Sequence, residues 1–440
     1  MRAEGVGSVV VVDSRARPIG ILTSHDVVRA VAEGTTGQRA ADAMTRNPIA
    51  LPAHALAYEA ALMMTGRRIR HVLVMDEGRL IGVVSERDLF SLQRLGLGEI
   101  TMELRLAGDV AVLAGMAAEI RKLTGILVEQ GVAVEQLTLF VSVLNDRLSQ
   151  RVLEIVRKRY DLERVSWCWL AFGSEGRVEQ TLATDQDNGL VFAAHDESPP
   201  RAVRGRLLPF AREVNDALDV CGFPLCKGNV MASNPALCLS TEEWQSRMAD
   251  WLANTDPQAL LESSICFDFR ALAGDVALAD QMRAWLLAHA RSRPAFLRLM
   301  AENAISVRPP RGMLRDFATD DVPNAPHTID LKLAGARPFV DAARIYALAN
   351  GLPQTGTVER LRAAAAAKVL GEREVSAWVR AFGSIQGLRL RAQSRVSVGA
   401  AANANRIDPY ALDDFEQRTL KEALRQASKL QDRLRLDYRL

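Results

Sequence analysis

The chain has 440 residues, of which 48 % are hydrophobic and 25 % charged, and its formal charge is +2. That length predicts two to four domains of an ordinary globular protein, and the near-balanced charge gives no reason to expect nucleic acid as a partner. The five cysteines form no Cys-x-x-Cys, no apolar run reaches the length of a membrane span, and the N-terminus lacks a signal-peptide pattern, so free thiols in the cytoplasm and no membrane partner are expected.

Residues 1–29 and 64–91 are one unit written twice. Val9-Val-Val-Val-Asp13 matches Val72-Leu-Val-Met-Asp76, and Ile19-Gly-Ile-Leu-Thr-Ser-His-Asp26 matches Ile81-Gly-Val-Val-Ser-Glu-Arg-Asp88. Each unit reads as strand, turn, strand and then a helix starting near Thr23 or Ser85. The repeats resemble CBS domains, which work as tandem pairs binding adenine nucleotides between them. The resemblance assigns Thr23, Asp26, Ser85 and Asp88 to an adenine nucleotide; helix N-capping by Thr23 and Ser85 is the alternative. The second unit has an upstream half, from Ala41 to Met64, that the first lacks, since Met1 aligns with Met64. Either the start lies too far downstream or that half has been lost, and weak ligand binding is expected unless a homodimer through these units covers the exposed edges.

From 99 to 160 the apolar residues recur at helical spacing, Ile120, Leu123 and Leu127 first and then Leu137, Phe140, Val141, Leu144 and Leu148, with Gly131 between two antiparallel helices. The pair either links a regulatory module to the catalytic strand or simply packs on the catalytic domain.

An apolar strand, 165–172, then runs into Gly173-Ser174. Eleven positions after Ser174 comes Asp185-Gln-Asp187, followed by a second apolar run, 189–193. On a strand, alternation puts Asp185 and Asp187 on one side and Gln186 on the other, with the two carboxylate-bearing positions about 6–7 Å apart. Such a pair suits Mg²⁺ or Mn²⁺, hard ions that take nucleotide phosphates into their shell. Gly173 permits close approach of backbone to phosphate, and Ser174 offers an amide and a hydroxyl at a helix start.

Gly-Ser, ten residues and Asp-x-Asp together resemble the polymerase-β-like nucleotidyltransferase superfamily. The longer string Gly173-Ser-x-Gly-Arg-x-Glu-Gln180 to Thr184-Asp-Gln-Asp-Asn188 is similar to the bacterial DUF294 nucleotidyltransferases, relatives of the enzyme that uridylylates the PII signalling protein. The resemblance implies that Gly173, Ser174 and Arg177 hold the NTP phosphates and that a third carboxylate from a later strand completes the metal site. Asp268, within a strand expected over 264–270, is that candidate, with a structural pair to Arg270 as the alternative. Lys227 and Asn229, in the loop 221–235, lie where the family has a segment beside the carboxylates. Lys332, Arg337 and Arg344, at the start of the C-terminal domain, form a cationic group able to hold a triphosphate.

The expected fold is multidomain, α/β and α+β: a CBS module over 1–98 with its first copy truncated, a helical linker over 99–160, a polymerase-β-like core with a mixed sheet over 161–285, and an all-helical domain over 286–440. The expected function is Mg²⁺-dependent transfer of a nucleotidyl group from an NTP to a hydroxyl, with a signalling protein as acceptor and CBS units as regulators. The alternatives are a silent nucleotide sensor or interaction protein and a small-molecule nucleotidyltransferase. The sequence leaves open the acceptor, the NTP and the oligomeric state.

Overall fold

The structure is a computed structural model. It describes residues 7–14, 17–35, 37, 39–55, 57–67, 69–76, 78–85, 97–194, 199–254, 256–312, 317–322, 325–395 and 404–440. The chain divides into two compact units, 1–100 and 101–440.

In the first unit, β1 (Ser8–Val12) and β2 (Pro18–Thr23) form an antiparallel hairpin, followed by the helix Ser24–Ala32. A two-residue strand, β3 (Thr45–Arg46), pairs with the other edge of β2. Gly20 lies close under the Met44 side chain: a Cβ would lie 2.1 Å from Met44 Sδ. The second repeat has the fuller architecture. β4 (Ala50–Pro52) runs parallel to β5 (His71–Asp76), which pairs antiparallel with β6 (Arg79–Ser85), and the helix Ala57–Arg67 buries Ala60 and Met64 against Val72. In the first repeat Val9, Val12, Ile19, Val27 and Val31 are exposed.

The second unit is built on a four-stranded mixed sheet of order β10-β7-β8-β9. Its central strands, β7 (Trp167–Ala171) and β8 (Asn188–Phe192), are antiparallel and buried at every position, hence their continuous apolar sequence. β9 (Cys238–Ser240) runs parallel to β8, and β10 (Arg270–Gly274) antiparallel to β7. The helices Val110–Glu129 and Val134–Arg157 are joined by a turn in which Gly131 takes φ +75°. They are no spacer. From the second of them Ser142 accepts from Gln180 N at 3.1 Å, Asp146 pairs with Arg270 at 2.6 Å, and Gln150 Nε2 donates to Leu272 O at 2.8 Å.

The boundary expected at 285/286 falls inside the helix Val276–Arg291. Beyond it lie the helices Pro294–Ser306, Arg337–Asn350, Thr357–Ala366, Glu372–Arg395 and Asp414–Tyr438. The helical C-terminal domain also carries a small sheet, β11 (Asp320–Val322), β12 (Ala325–Asp330) and β13 (Arg406–Ile407), with β12 in the middle. A π-helical turn, Leu331–Ala336, connects β12 to the helix Arg337–Asn350, with Asp330 capping it at the Lys332 and Leu333 amides. One hydrophobic core runs without a break from Cys168 and Phe172 on the sheet to Leu430 and Leu434 on the last helix. Among the described residues no helix is long and apolar enough to cross a membrane.

Candidate active site

β7 ends at Ala171, and the chain turns at Gly173 (φ +56°) into the one-turn helix Gly173–Gly176. Asp185 and Asp187 precede β8 on an extended segment rather than lying within the strand. The alternation survives: Asp185 is exposed, Gln186 buried and Asp187 partly buried. Gln186 points inward, donating to the Asn215 and Phe223 carbonyls at 2.9 and 2.8 Å and accepting from Asn215 Nδ2 at 2.7 Å. Asn188 Oδ1 accepts from Asn215 Nδ2 at 3.0 Å and from Ala232 N at 2.8 Å. These two amides fix the segment that presents both carboxylates.

Asp187 meets the glycine turn. A Cβ on Gly173 would lie 3.0 Å from Asp187 Oδ2, and Phe172 N donates to Asp187 O at 2.8 Å. Burial, and then the like charge of Asp185, push the Asp187 carboxyl up to about 6; a hydrogen bond from the Cys226 thiol and the charges of Lys332 and Arg177 oppose the rise. Glu175 is pushed up to about 8 by burial and by Asp146, with Arg270 opposing and Asp187 adding to the rise. Two like charges beside a glycine turn, both hard oxygen donors, fit a divalent cation.

The loop 221–235 lies against these carboxylates: Gln186 N donates to Pro224 O at 3.1 Å and Asn188 N to Val230 O at 3.1 Å. Lys227 is exposed on it, and Asn229 adopts φ +54°. Lys332 is exposed on the π turn with its charge acting on Asp187. Arg337 is instead paired with Asp341 at 3.0 Å.

Asp268 requires a correction. Of the strand expected over 264–270, residues 264–266 end the helix Pro257–Cys266, Asp268 sits in the turn that follows, and β10 begins only at Arg270. Its carboxylate is 0 % exposed and enclosed by three arginines. Arg344 binds it through both Nε (3.0 Å) and Nη2 (2.6 Å), Arg360 Nη1 lies at 2.5 Å and Arg177 Nη1 at 2.7 Å. Burial alone would raise its pKa, but Arg344, Arg360 and Arg177 together hold it far below the usual carboxylate range. With both oxygens taken, Asp268 offers nothing to a metal; nor is Arg270 its partner, since Arg270 pairs with Asp146. Arg177 and Arg344, expected at phosphates, are committed to this cluster. Among the described residues no group of three His, Cys, Asp or Glu side chains is arranged to hold a metal.

Glu179 takes a role the sequence did not disclose. It accepts from Arg177 Nε at 2.9 Å and from both the amide and the hydroxyl (3.0 Å) of Thr357, so it caps the helix Thr357–Ala366 of the C-terminal domain. Asn215, Glu175 and Cys226 were also missed. Asn215, a polar residue between Val214 and Leu218 on an apolar helix face, was the one detectable signal.

In the first unit, Thr23 caps the helix Ser24–Ala32 in a capping box with Asp26. Asp26 Oδ2 accepts from the Thr23 hydroxyl at 2.7 Å, and Oδ1 pairs with Arg29 at 2.8 Å. Ser85 ends β6, and Asp88 lies outside the described residues.

The second unit thus presents two carboxylates beside a glycine turn on a mixed sheet joined to a helical domain, and the family models place it among the nucleotidyltransferases. The family model described as "Putative nucleotidyltransferase DUF294" matches residues 118–258. That of the "Putative nucleotidyltransferase substrate binding domain" matches 294–438, and the CBS domain matches 1–33 and 40–94. The chain belongs to the DUF294 nucleotidyltransferase family, with CBS domains in front. An uncharacterized protein of Methanopyrus kandleri is 32% identical over 24% of this chain, which spans 56% of that protein's length. Among solved structures, a CBS-domain-containing protein of Agrobacterium tumefaciens shares 35% identity over 21% of this chain and 76% of its own, with a TM-score of 0.20. A CBS domain protein of Pyrobaculum aerophilum complexed with AMP shares 30% over 24% and 79%, also at a TM-score of 0.20.

Proposed function

We propose that the protein transfers a nucleotidyl group from an NTP to an acceptor hydroxyl. The observation that carries this reading is the approach of Asp187 to Gly173, with Asp185 beside it. Asp185 and Asp187 would hold Mg²⁺ or Mn²⁺, which when bound neutralises charge on the triphosphate. Gly173 and Ser174 take the phosphates through backbone and hydroxyl, and Lys332, with Lys227 on the facing loop, supplies mobile positive charge. The acceptor oxygen bonds to the α-phosphorus as the bond to pyrophosphate breaks, and the acceptor proton passes to a base. A protein acceptor in a signalling context and an adenine nucleotide at the CBS repeats extend the proposal; the Gly-x-x-Thr-x-x-Asp segment supports the latter.

The test is incubation of the full chain with each α-³²P-labelled NTP and Mg²⁺ or Mn²⁺, with and without cell extract, beside Asp187→Asn. Label should pass to an acceptor with the native chain alone. Equal labelling by Asp187→Asn, or none by either, removes the proposal.

A further inference from the structure

Arg389, on the helix Glu372–Arg395, is 6 % exposed. Unlike the arginines around Asp268, it forms no ion pair among the described residues. Neutral amides hold it: Nε donates to Asn405 Oδ1 at 3.0 Å and Nη1 to Gln386 Oε1, while Nη2 donates to none of the described residues. Burial brings its pKa down to about 10 against the charge of Asp330, with Arg177 adding to the fall and Glu179 opposing it. Neither carboxylate is free to neutralise it. Asp330 Oδ1 accepts from the Lys332 and Leu333 amides, both at 2.9 Å, and Glu179 is shared between Arg177 and Thr357. A buried cation with only neutral partners is unfavourable, and an anion that reaches it removes that deficit.

The surrounding hydrogen bonds tie this charge to the transfer site. Asn405 Oδ1 also accepts from Gln393 Nε2 at 2.9 Å, and Gln393 Oε1 accepts from Ala183 N at 3.2 Å, just ahead of Asp185. Leu331 N donates to the Asn405 carbonyl at 2.9 Å, beside Lys332. Arg389 is thus anchored between the segment that leads to the two carboxylates and the turn that carries Lys332, whose charge acts on Asp187. Arg177 and Arg344 are committed to Asp268, and Arg337 to Asp341. Arg389 has no such commitment.

We infer that Arg389 of the C-terminal domain contacts the triphosphate of the NTP through Nη2, an inference that rests on the transfer reaction proposed above. With Nε and Nη1 fixed by Asn405 and Gln386, the third nitrogen is a pre-oriented donor for a phosphate oxygen. The same amide network reaches Ala183, so the group that senses the donor nucleotide is joined to the segment that presents Asp185.

Calorimetric titration of the full chain with inorganic tripolyphosphate and Mg²⁺ tests the inference without knowledge of the base. The native chain should saturate. Arg389→Met should bind at least about tenfold more weakly, as loss of a charge-assisted hydrogen bond implies. Its melting temperature should be native or higher, because the variant removes a buried charge that lacks a countercharge. Arg389→Gln, which can still hydrogen-bond in the network, should behave alike. With labelled NTP, both variants should raise KM by a similar factor and change kcat less. Native affinity in the variants, or a large fall in melting temperature in both, overturns the inference. Transfer of label by the native chain with an unchanged KM in both variants removes this inference alone. Neither tripolyphosphate binding nor transfer by the native chain removes it together with the reaction.

Discussion

Asp187 titrates where it can be observed. Its carboxyl is held near 6, so a proton competes with a divalent cation for it, and Mn²⁺ affinity should fall by roughly tenfold per unit below pH 6. Calorimetric titration between pH 5 and 8 reads this directly, and a flat profile would place the metal elsewhere. The same shift sets the stability of the metal-free protein. The folded state holds this proton more tightly than the unfolded chain does, so the favourable contribution is complete below the ordinary carboxylate range and is lost as pH rises through about 6. Asp187→Asn should therefore stabilise the apo protein by about 1–3 kcal/mol at pH 8 and by little at pH 4. At this scale the spacing made one feature readable, the buried Gln186 between two less buried carboxylates, Asp185 and Asp187. The sequence was unreadable for Asp268, because a carboxylate between Phe267 and Phe269 announces only a need for partners. The three partners come from Arg177, Arg344 and Arg360, between 76 and 92 positions away.

Among the elements, the one-turn helix after β7 is the most constrained. A Cβ on Gly176 would lie 1.8 Å from Asp268 O and 2.8 Å from Ala171 O, both backbone atoms that cannot rotate aside. Gly176→Ala should cost about 3 kcal/mol or more, seen as a fall in melting temperature. Gly173→Ala should differ in kind. It incurs about 1 kcal/mol of left-handed strain and presses on Asp187 Oδ2, so its loss of transfer should exceed its loss of stability. Comparable effects of the two variants on both readouts would show that Gly173 has only a structural role. The glycines announced a turn in the sequence, but which of them guards the carboxylate depends on a contact between segments more than ten positions apart. The end of the helix, 264–266, was misread as strand because Ser264-Ile-Cys-Phe is β-prone locally, and packing of Cys266 and Phe267 into the core overrode that preference.

At the scale of the whole molecule, the repeats, the paired helices and the mixed sheet were all legible, since each rests on periodicity within a short window. The division between catalytic and C-terminal domains was not, because the core runs through it. For the CBS repeats, Thr23 and Asp26 spend their polar atoms on each other and on Arg29, so AMP should bind the full chain weakly. Micromolar affinity that disappears in Asp26→Ala would mean that the capping box opens for a ribose. Asp268→Asn should destabilise the second unit by roughly 3–5 kcal/mol, because it removes the charge that three buried guanidinium groups share, leaving Arg177 with Glu179, Arg344 with Asp341 and Arg360 with no carboxylate; a native melting temperature would contradict the cluster. That cluster also governs how the protein can be divided. Asp268, Glu179 and Arg177 come from the sheet side and Arg344, Arg360 and Asp341 from the helical side, so the first half made alone keeps an excess buried negative charge and the second an excess positive one. Cutting the chain at Ser292 should yield two insoluble pieces that become soluble only when co-expressed: a split protein whose reassembly could report on this interface inside a cell.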